Sequence, residues 1–263
     1  MTRAPRWVVA TVVVAAWAGA CTDVGTAPDG IVALAFDTLP YPAIVVNDTM
    51  RDSLGHAAPL RAVAYNAHGD VIEDPPIRYI ALDTGVDISS QGYLIATTRT
   101  SGTVRVVAAA ASLQSLQKTV TVTQAPDLLA ASGATADTLI YASPDTASKN
   151  VSKAMTVKLT RDSAGTKLGV PGFLVSWLVT FRGQTVPTSD TTLTSVWDDS
   201  HKVAVLDTTG TDGAASRLLR IRTNQLPTAA DSFVVYASAR YRGAVVAGRP
   251  VKFVIHFQPK SGR

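Results

Sequence analysis

The chain has 263 residues, of which 46% are hydrophobic, 17% charged and only 6% aromatic, and its formal net charge is +4. This hydrophobic content is typical of folded chains and excludes an intrinsically disordered protein, while the length fits one or two domains. The small net charge gives no support to nucleic-acid binding.

The first 20 residues have the features of an export signal. Arg3 and Arg6 form a positive N-terminal region, and residues 7–20 (WVVATVVVAAWAGA) follow without a charge. A membrane-spanning helix needs about 20 apolar residues, whereas the hydrophobic region of a signal peptide has roughly 7 to 15. Residues 1–20 are therefore predicted to be a cleaved signal helix. Its removal leaves 22 basic against 20 acidic residues.

Cys21 is the only cysteine, and it directly follows the small residues Ala18, Gly19 and Ala20. This segment resembles the lipobox of bacterial lipoproteins, in which the nucleophilic thiol is acylated before cleavage makes the cysteine the first residue. The resemblance implies a lipid anchor at Cys21 in the cell envelope. Thr22 stands where an aspartate would favour the inner membrane, which points to the outer membrane. Residues 18–20 also satisfy an A-x-A cleavage site, so plain secretion with a free thiol is the alternative.

Residues 21–29 contain Gly and Pro without periodicity and are predicted to be a tether. Residues 30–124 contain short β-rich runs separated by turn residues, at a spacing typical of a β-sandwich. With no cysteine beyond Cys21, this region must be stabilised by a packed core rather than by disulfides. The predicted strands are 31–36, 43–46, 60–65, 77–82, 93–97, 104–110 and 118–123.

The stretch from Pro59 onwards resembles the bacterial immunoglobulin-like domain of group 2. It contains a polar turn at residues 68–70 (His-Gly-Asp), an aromatic strand residue at Tyr79, a strand led by Gly92, and Gly102 before a valine-rich strand. The likeness covers nearly all of residues 30–124. It implies an immunoglobulin-like sandwich for this region.

The residues that follow predict a linker and then a second sandwich. Residues 124–127 include a proline, which cannot donate to a strand ladder. A second β-rich region covers residues 127–258 and contains a polar insert at 182–200 that is long for a sandwich loop. The predicted strands are 138–141, 155–160, 173–181, 203–206, 215–222, 233–240 and 251–257.

The second region resembles group 1 bacterial immunoglobulin-like modules, as in invasin and intimin. The features shared with that family are an Asp212-Gly213 turn before a strand and an Arg242-Gly243 hairpin after a later strand. The whole chain is therefore predicted to be all-β, with two tandem immunoglobulin-like β-sandwiches after the signal helix. Trp177, in a central apolar run, is expected in the second core.

Four arginines are candidate binding residues. Arg220 and Arg222 share one face of a predicted strand, as do Arg240 and Arg242 on another. If these strands pair, one sheet face would be basic and would bind phosphate or carboxylate groups of an anionic envelope polymer. The alternative is a solvated outer face that resists edge pairing.

Aspartates occur in pairs in predicted turns, where they either bond their own backbone or bind Ca²⁺. These pairs are Asp83 and Asp87, Asp198 and Asp199, and Asp207 and Asp212.

The remaining polar residues point to no metal, cofactor or catalytic group. The histidines are scattered without the spacing of zinc ligands, and no G-x-S-x-G motif occurs. We therefore expect a non-enzymatic envelope protein that binds the membrane through its lipid, with an envelope polymer or a surface protein as a further partner, and a structural or adhesive role. The alternative is a carbohydrate- or polymer-binding accessory protein, for which Trp197, Tyr236 and Tyr241 are the candidate exposed aromatics.

Overall fold

The protein is all-β. The computed structural model describes residues 30–36, 38–141, 150–189, 193–222 and 230–259. The predicted signal helix, Cys21 and the tether lie outside these ranges. No helix in the described ranges is long and apolar enough to cross a membrane.

Among the residues that the structure describes, the first module contains nine strands. They are β1 (Ala33–Ala35), β2 (Ala43–Val45), β3 (Val63–Tyr65), β4 (Arg78–Ala81), β5 (Val86–Ile88), β6 (Leu94–Ala96), β7 (Gly102–Ala110), β8 (Leu113–Gln114) and β9 (Lys118–Thr123). One sheet has the order β2-β9-β7-β4, with β8 paired to β7, and the pairs β1-β3 and β5-β6 form two further small sheets. Strand β2 runs parallel to β9, whereas β9, β7 and β4 are antiparallel. This is the A′-G-F-C sheet of an immunoglobulin sandwich.

Within its described ranges, the second module contains twelve strands. They are β10 (Leu128–Ala131), β11 (Ala136–Tyr141), β12 (Met155–Ser163), β13 (Thr166–Gly169), β14 (Leu174–Phe181), β15 (Gln184–Thr185), β16 (Thr194–Trp197), β17 (Leu206–Thr208), β18 (Ala214–Ile221), β19 (Asp231–Tyr241), β20 (Ala244–Val245) and β21 (Val251–Pro259). One sheet has the order β10-β12-β18-β16 and the other β11-β21-β19-β14-β15. These orders correspond to the A-B-E-D and A′-G-F-C sheets of the immunoglobulin fold, with β11 parallel to β21.

The alternation of apolar and polar residues explains why these strands form a sandwich. In β14, Val175, Trp177 and Val179 are buried, while Ser176 and Leu178 between them are exposed. Trp177 is 4% exposed and its ring packs 5.9 Å from that of Phe253, which confirms its predicted place in the core.

The prediction of a polar insert at residues 182–200 is wrong in one respect. It contains β16, whose four residues are all buried and which pairs with β18 to complete its sheet. The strand was missed because Thr194 and Ser195 interrupt the apolar pattern, yet both are fully buried. The strand predicted at 203–206 lies instead at β17, and β5, β8, β10, β13, β15 and β20 were not predicted.

Candidate functional site

The two modules meet at strand β2, whose side chains pack into both hydrophobic cores. Ile44 of β2 packs into the core of the first module, whereas Ala43 and Val45 belong to the core of the second. Because successive side chains of a strand point to opposite faces, one short strand serves both cores. The joint is therefore a continuation of a hydrophobic core.

Tyr41, just before β2, extends this contact. It is 7% exposed, and its ring meets Phe173 of the second module edge-on at 5.6 Å. The backbone N–H of Leu174 donates to the Tyr41 hydroxyl over 2.7 Å. Burial raises the pKa of Tyr41 to about 12, although the bond from Leu174 opposes this shift. The phenol therefore stays neutral and fixed at the joint.

Gly172 allows the loop before β14 to reach the first module. Its φ is +78°, and a Cβ placed there would lie 2.8 Å from the Ala43 Cβ and 3.0 Å from the Thr121 Cβ. Only a residue without a side chain fits this approach without displacing its neighbours. Thr209 holds the same loop, since its hydroxyl donates to Val170 O and accepts from the N–H of Phe173.

A buried carboxylate clamps the other side of the joint. Asp48 accepts hydrogen bonds from the Arg51 guanidinium at 2.8 and 2.9 Å within its own module. From the second module it accepts bonds from the Tyr241 hydroxyl at 2.9 Å and from Arg242 Nε at 3.1 Å. The Asp48 side chain is only 6% exposed, so water solvates little of its charge. These donors and the N–H of Thr49 stabilise the charge instead. We call this group the Asp48 clamp.

The electrostatics of the Asp48 clamp follow from this geometry. Burial alone would raise the pKa of Asp48, but the bonds from Arg51, Arg242, Thr49 and Tyr241 together hold that pKa well below its usual range. Burial, and then the bond to Asp48, raise the pKa of Tyr241. The clamp is therefore an ionised carboxylate bound by two guanidinium groups and a neutral phenol.

The hairpin that supplies Arg242 also brings two backbones into direct contact. Arg242 and Gly243 have φ of 49° and 79°, the left-handed pair of a type I′ turn between β19 and β20. A Cβ on Gly55 of the first module would lie 2.0 Å from Gly243 N. The contact therefore requires glycine at position 55.

A cleft of about 600 Å³ opens beside the joint. Gln124 lies at its wall, donates to Thr100 O and accepts a hydrogen bond from Arg161. The rest of the lining is mostly threonine and glycine, including residues 100–103 and 208–211. Such a wall can bond polar groups, but no acid and base pair lines it for catalysis.

The structure separates the four predicted arginines. Strands β18 and β19 lie in different sheets, so the condition for one basic face is not met. Arg220 is 5% exposed, with its guanidinium 5.1 Å from the Trp197 ring centre, and Arg222 follows β18 half-buried. Arg242 is part of the Asp48 clamp. Polymer binding by these residues stays a prediction, and only Arg240 projects from a sheet as an exposed side chain.

The aromatics proposed for carbohydrate stacking do not form a row. Trp197 is 4% exposed and belongs to one sheet, whereas Tyr236 and Tyr241 are half-buried residues of β19 in the other. Trp197 packs against His201 at 5.3 Å. These three side chains therefore do not form a flat aromatic platform on which a sugar ring could stack.

Some of the paired aspartates bond backbone groups in turns, whereas Asp83 and Asp207 also bind the side chains of Arg105 and Arg217. Asp198 accepts from the N–H groups of Ser200 and Lys202, and Asp212 accepts from that of Ala214. These bonds are the turn role expected from sequence. Within the described ranges, no group of three or more His, Cys, Asp and Glu side chains is placed to hold a metal ion.

One serine and lysine pair has the S-x-x-K spacing of certain acyl-transfer enzymes, at Ser115 and Lys118. The Ser115 hydroxyl accepts from the N–H of Ala108 at 3.0 Å and donates to Leu116 O at 2.9 Å. Ser115 therefore fixes the end of β7 and β8.

Sequence reasoning could not find the Asp48 clamp, because its members are about 190 residues apart in sequence. The only local signal was the turn-like segment Asn47-Asp48-Thr49, which is common in loops.

No family model matches the chain, and no curated protein matches it. Among solved structures, the chain is similar to the Yersinia pseudotuberculosis adhesin InvE at 12% identity, with a TM-score of 0.31, over 82% of this chain and 56% of that one. It thus spans just over half of the InvE structure. It is also similar to the D0-D1 domains of intimin at 14% identity, with a TM-score of 0.27, over 87% of this chain and 98% of that one. The Escherichia coli adhesin FdeC matches at 14% identity with a TM-score of 0.29, over 88% of this chain and 64% of that one. The assignment to the immunoglobulin-like fold rests on the strand order and register given above.

Proposed function

We propose that this chain is a non-catalytic, lipid-anchored protein of the bacterial cell envelope, whose two modules act as one rigid unit in a structural or adhesive role. The observation that carries the proposal is the joint. A strand shared by two cores, a buried carboxylate clamp and two glycine contacts fix one module on the other. A protein that holds a binding surface at a set distance from a membrane needs such rigidity, because a flexible joint would lose that distance.

The anchor is the second part of the proposal. The lipobox resemblance supports acylation of Cys21, and the apolar run before it supports export. More than one acyl chain is needed for stable anchoring, which an acylated lipoprotein terminus provides. The threonine at position 22, directly after Cys21, supports an anchor in the outer membrane rather than in the inner membrane. The first module then belongs to group 2 and the second to group 1 of the bacterial immunoglobulin-like domains.

The anchor is tested by the intact mass of the mature protein after detergent extraction, beside a Cys21→Ala variant. We expect the mass of a diacylglyceryl cysteine at the new N-terminus and partition into the detergent phase, both lost in the variant. An unmodified, water-soluble species cut before Cys21 would overturn the anchor and favour a released binding protein.

A further inference from the structure

The outward side of one sheet of the second module holds exposed apolar residues among polar ones. We call it the outer face, and it consists of the outward positions of β11, β14, β19 and β21. Leu178 and Ile140 on this face are 47% and 59% exposed, and Leu206 on the adjoining β17 is 47% exposed. Leu178 is the direct cross-strand partner of Tyr236, and Val234 is that of Val254. Side chains in such register touch, so Leu178, Tyr236, Val234 and Val254 form a patch. Ile140 is separate from it, because it lies opposite Gln258 at the end of β21.

The other sheet of the module provides an internal comparison. Among the described residues, its strands β10, β12, β18 and β16 hold no exposed large apolar residue on their outward positions, whereas the adjoining β13 holds Leu168, which is 50% exposed. Its most prominent outward aromatic, Trp197, is covered. The two sheets therefore differ in position rather than in kind, since Leu178 lies on β14 between paired strands whereas Leu168 lies on the hairpin strand β13.

Charge on the outer face has one sign. Its outward positions include Arg240 and Lys252, together with His256, and no carboxylate among the described residues. The Arg240 guanidinium donates to the carbonyl of Gly243 at 3.1 Å in its own hairpin. The His256 Nδ1 is 2.8 Å from the Ser232 hydroxyl. Arg240 and Lys252 are the cations that border the apolar patch.

The aspartates of the same sheet are turned away from this face and are already bonded. Asp231 forms an ion pair with Arg182 at 2.9 Å, and Asp207 accepts from the N–H of Ser216 in the opposite sheet. Asp137 accepts from the N–H of Lys153. The positive sign of the face is therefore not neutralised from within its own sheet.

We propose that the outer face is a docking surface for an acidic protein partner whose carboxylates surround apolar side chains. Opposite charge on the partner would pair with Arg240 and Lys252, and its apolar residues would cover Leu178 and Tyr236. A second copy of this chain does not fit, because the two positive faces would repel each other. A polyanion without apolar groups would leave the patch exposed. The proposal specifies the partner for the interaction role proposed above and rests on that role, but not on the lipid anchor.

The test uses the full chain with Cys21→Ala, which removes the need for detergent. The probe is a synthetic amphipathic peptide with leucine on one face and glutamate on the other. The comparison probes are the same peptide with lysine in place of glutamate, a peptide of glutamate alone, and vesicles of phosphatidylglycerol. Binding is measured by interferometry, and the contact residues are mapped by amide chemical shifts.

The face variant combines Leu178→Asp with Lys252→Glu. Its matched control combines Leu168→Asp with Lys167→Glu, because these are also an exposed leucine and lysine, on β13 of the other sheet. Both variants must melt at the temperature of the parent chain to be compared.

We expect the leucine and glutamate peptide to bind the parent chain and the control variant equally. We expect the same peptide to bind the face variant more weakly by about tenfold or more. The other two peptides should bind the parent chain more weakly by about the same factor. Shifts should centre on Leu178, Tyr236 and Lys252. Absence of binding, or equal binding by the face and control variants, would overturn the proposal. Vesicle binding that is lost in the face variant, without peptide binding, would assign the surface to membranes instead. Each of these failures leaves the anchor and the rigid joint standing, since mass and distance measurements test those separately.

Discussion

Replacing Asp48 with alanine should weaken the joint more than any other single change to a charged residue at this contact. The carboxylate accepts five hydrogen bonds: one from Thr49, two from Arg51, and one each from Tyr241 and Arg242. A hydrogen bond to a charged group contributes about 1.5 to 3 kcal/mol, but such values are not additive. The Arg51 and Arg242 side chains are 24% and 55% exposed, so water can replace part of what they lose. We expect a loss of about 2 to 4 kcal/mol.

The assay is equilibrium unfolding in urea. Far-ultraviolet circular dichroism follows both modules, tryptophan fluorescence follows the second module through Trp177 and Trp197, and protease sensitivity is measured near residues 124–127. Asp48→Ala should lower the free energy of unfolding and separate one transition into two, because the modules lose a mutual contact. Asp83→Ala is the control, since Asp83 binds Arg105 at 2.9 Å inside the first module. The reasoning is refuted if Asp48→Ala changes stability no more than Asp83→Ala and the transition stays single.

Three further outcomes follow from the geometry. Gly55→Ala should displace the modules relative to each other, because a Cβ at this residue, whose φ is +91°, would lie 2.0 Å from Gly243 N. Small-angle scattering should then show a larger radius of gyration than for the control Gly133→Ala, where a Cβ meets no atom within 4 Å. The pKa of the Asp48 carboxyl is depressed in the folded protein. The stabilisation from Asp48 should therefore be complete at pH values above about 3.9, the ordinary aspartate pKa, and should be lost as the pH falls below that value. Stability that declines between pH 7 and 5 in the parent chain but not in Asp48→Asn would contradict this sign. Trp177→Ala should cost about 3 to 5 kcal/mol by leaving a cavity beside Phe253, measured by urea unfolding, and a cost below about 1 kcal/mol would contradict its core position.

The strands that could be predicted from sequence are those with strict alternation or long apolar runs. Strand β9 lies at the predicted residues, and β7, β14 and β19 differ from prediction only at their ends. In β14 and β19 buried and more exposed residues alternate, so the period of two is visible, whereas in β7 residues 106–110 are all buried and form an apolar run. The Asp212-Gly213 and Arg242-Gly243 turns also follow from local chemistry, because both glycines have positive φ.

The features that sequence did not predict depend on which strands become neighbours. Strand β16 is buried on both sides, with Thr194 and Ser195 inside, so it lacks the expected pattern. The arginines of β18 and β19 appeared equivalent in sequence, but one strand belongs to each sheet. The division of β2 between two cores depends on how the modules pack, and three residues contain no periodicity that could reveal it.

The most direct test of the rigid joint is a distance measurement between the modules by double electron–electron resonance. Nitroxides would be placed by Leu116→Cys in the first module and Ile140→Cys in the second, both highly exposed, in the Cys21→Ala background. The structure predicts a single narrow distance distribution that broadens when Gly55→Asp is added. A broad distribution in the chain without Gly55→Asp would contradict the claim that the two sandwiches form one rigid unit.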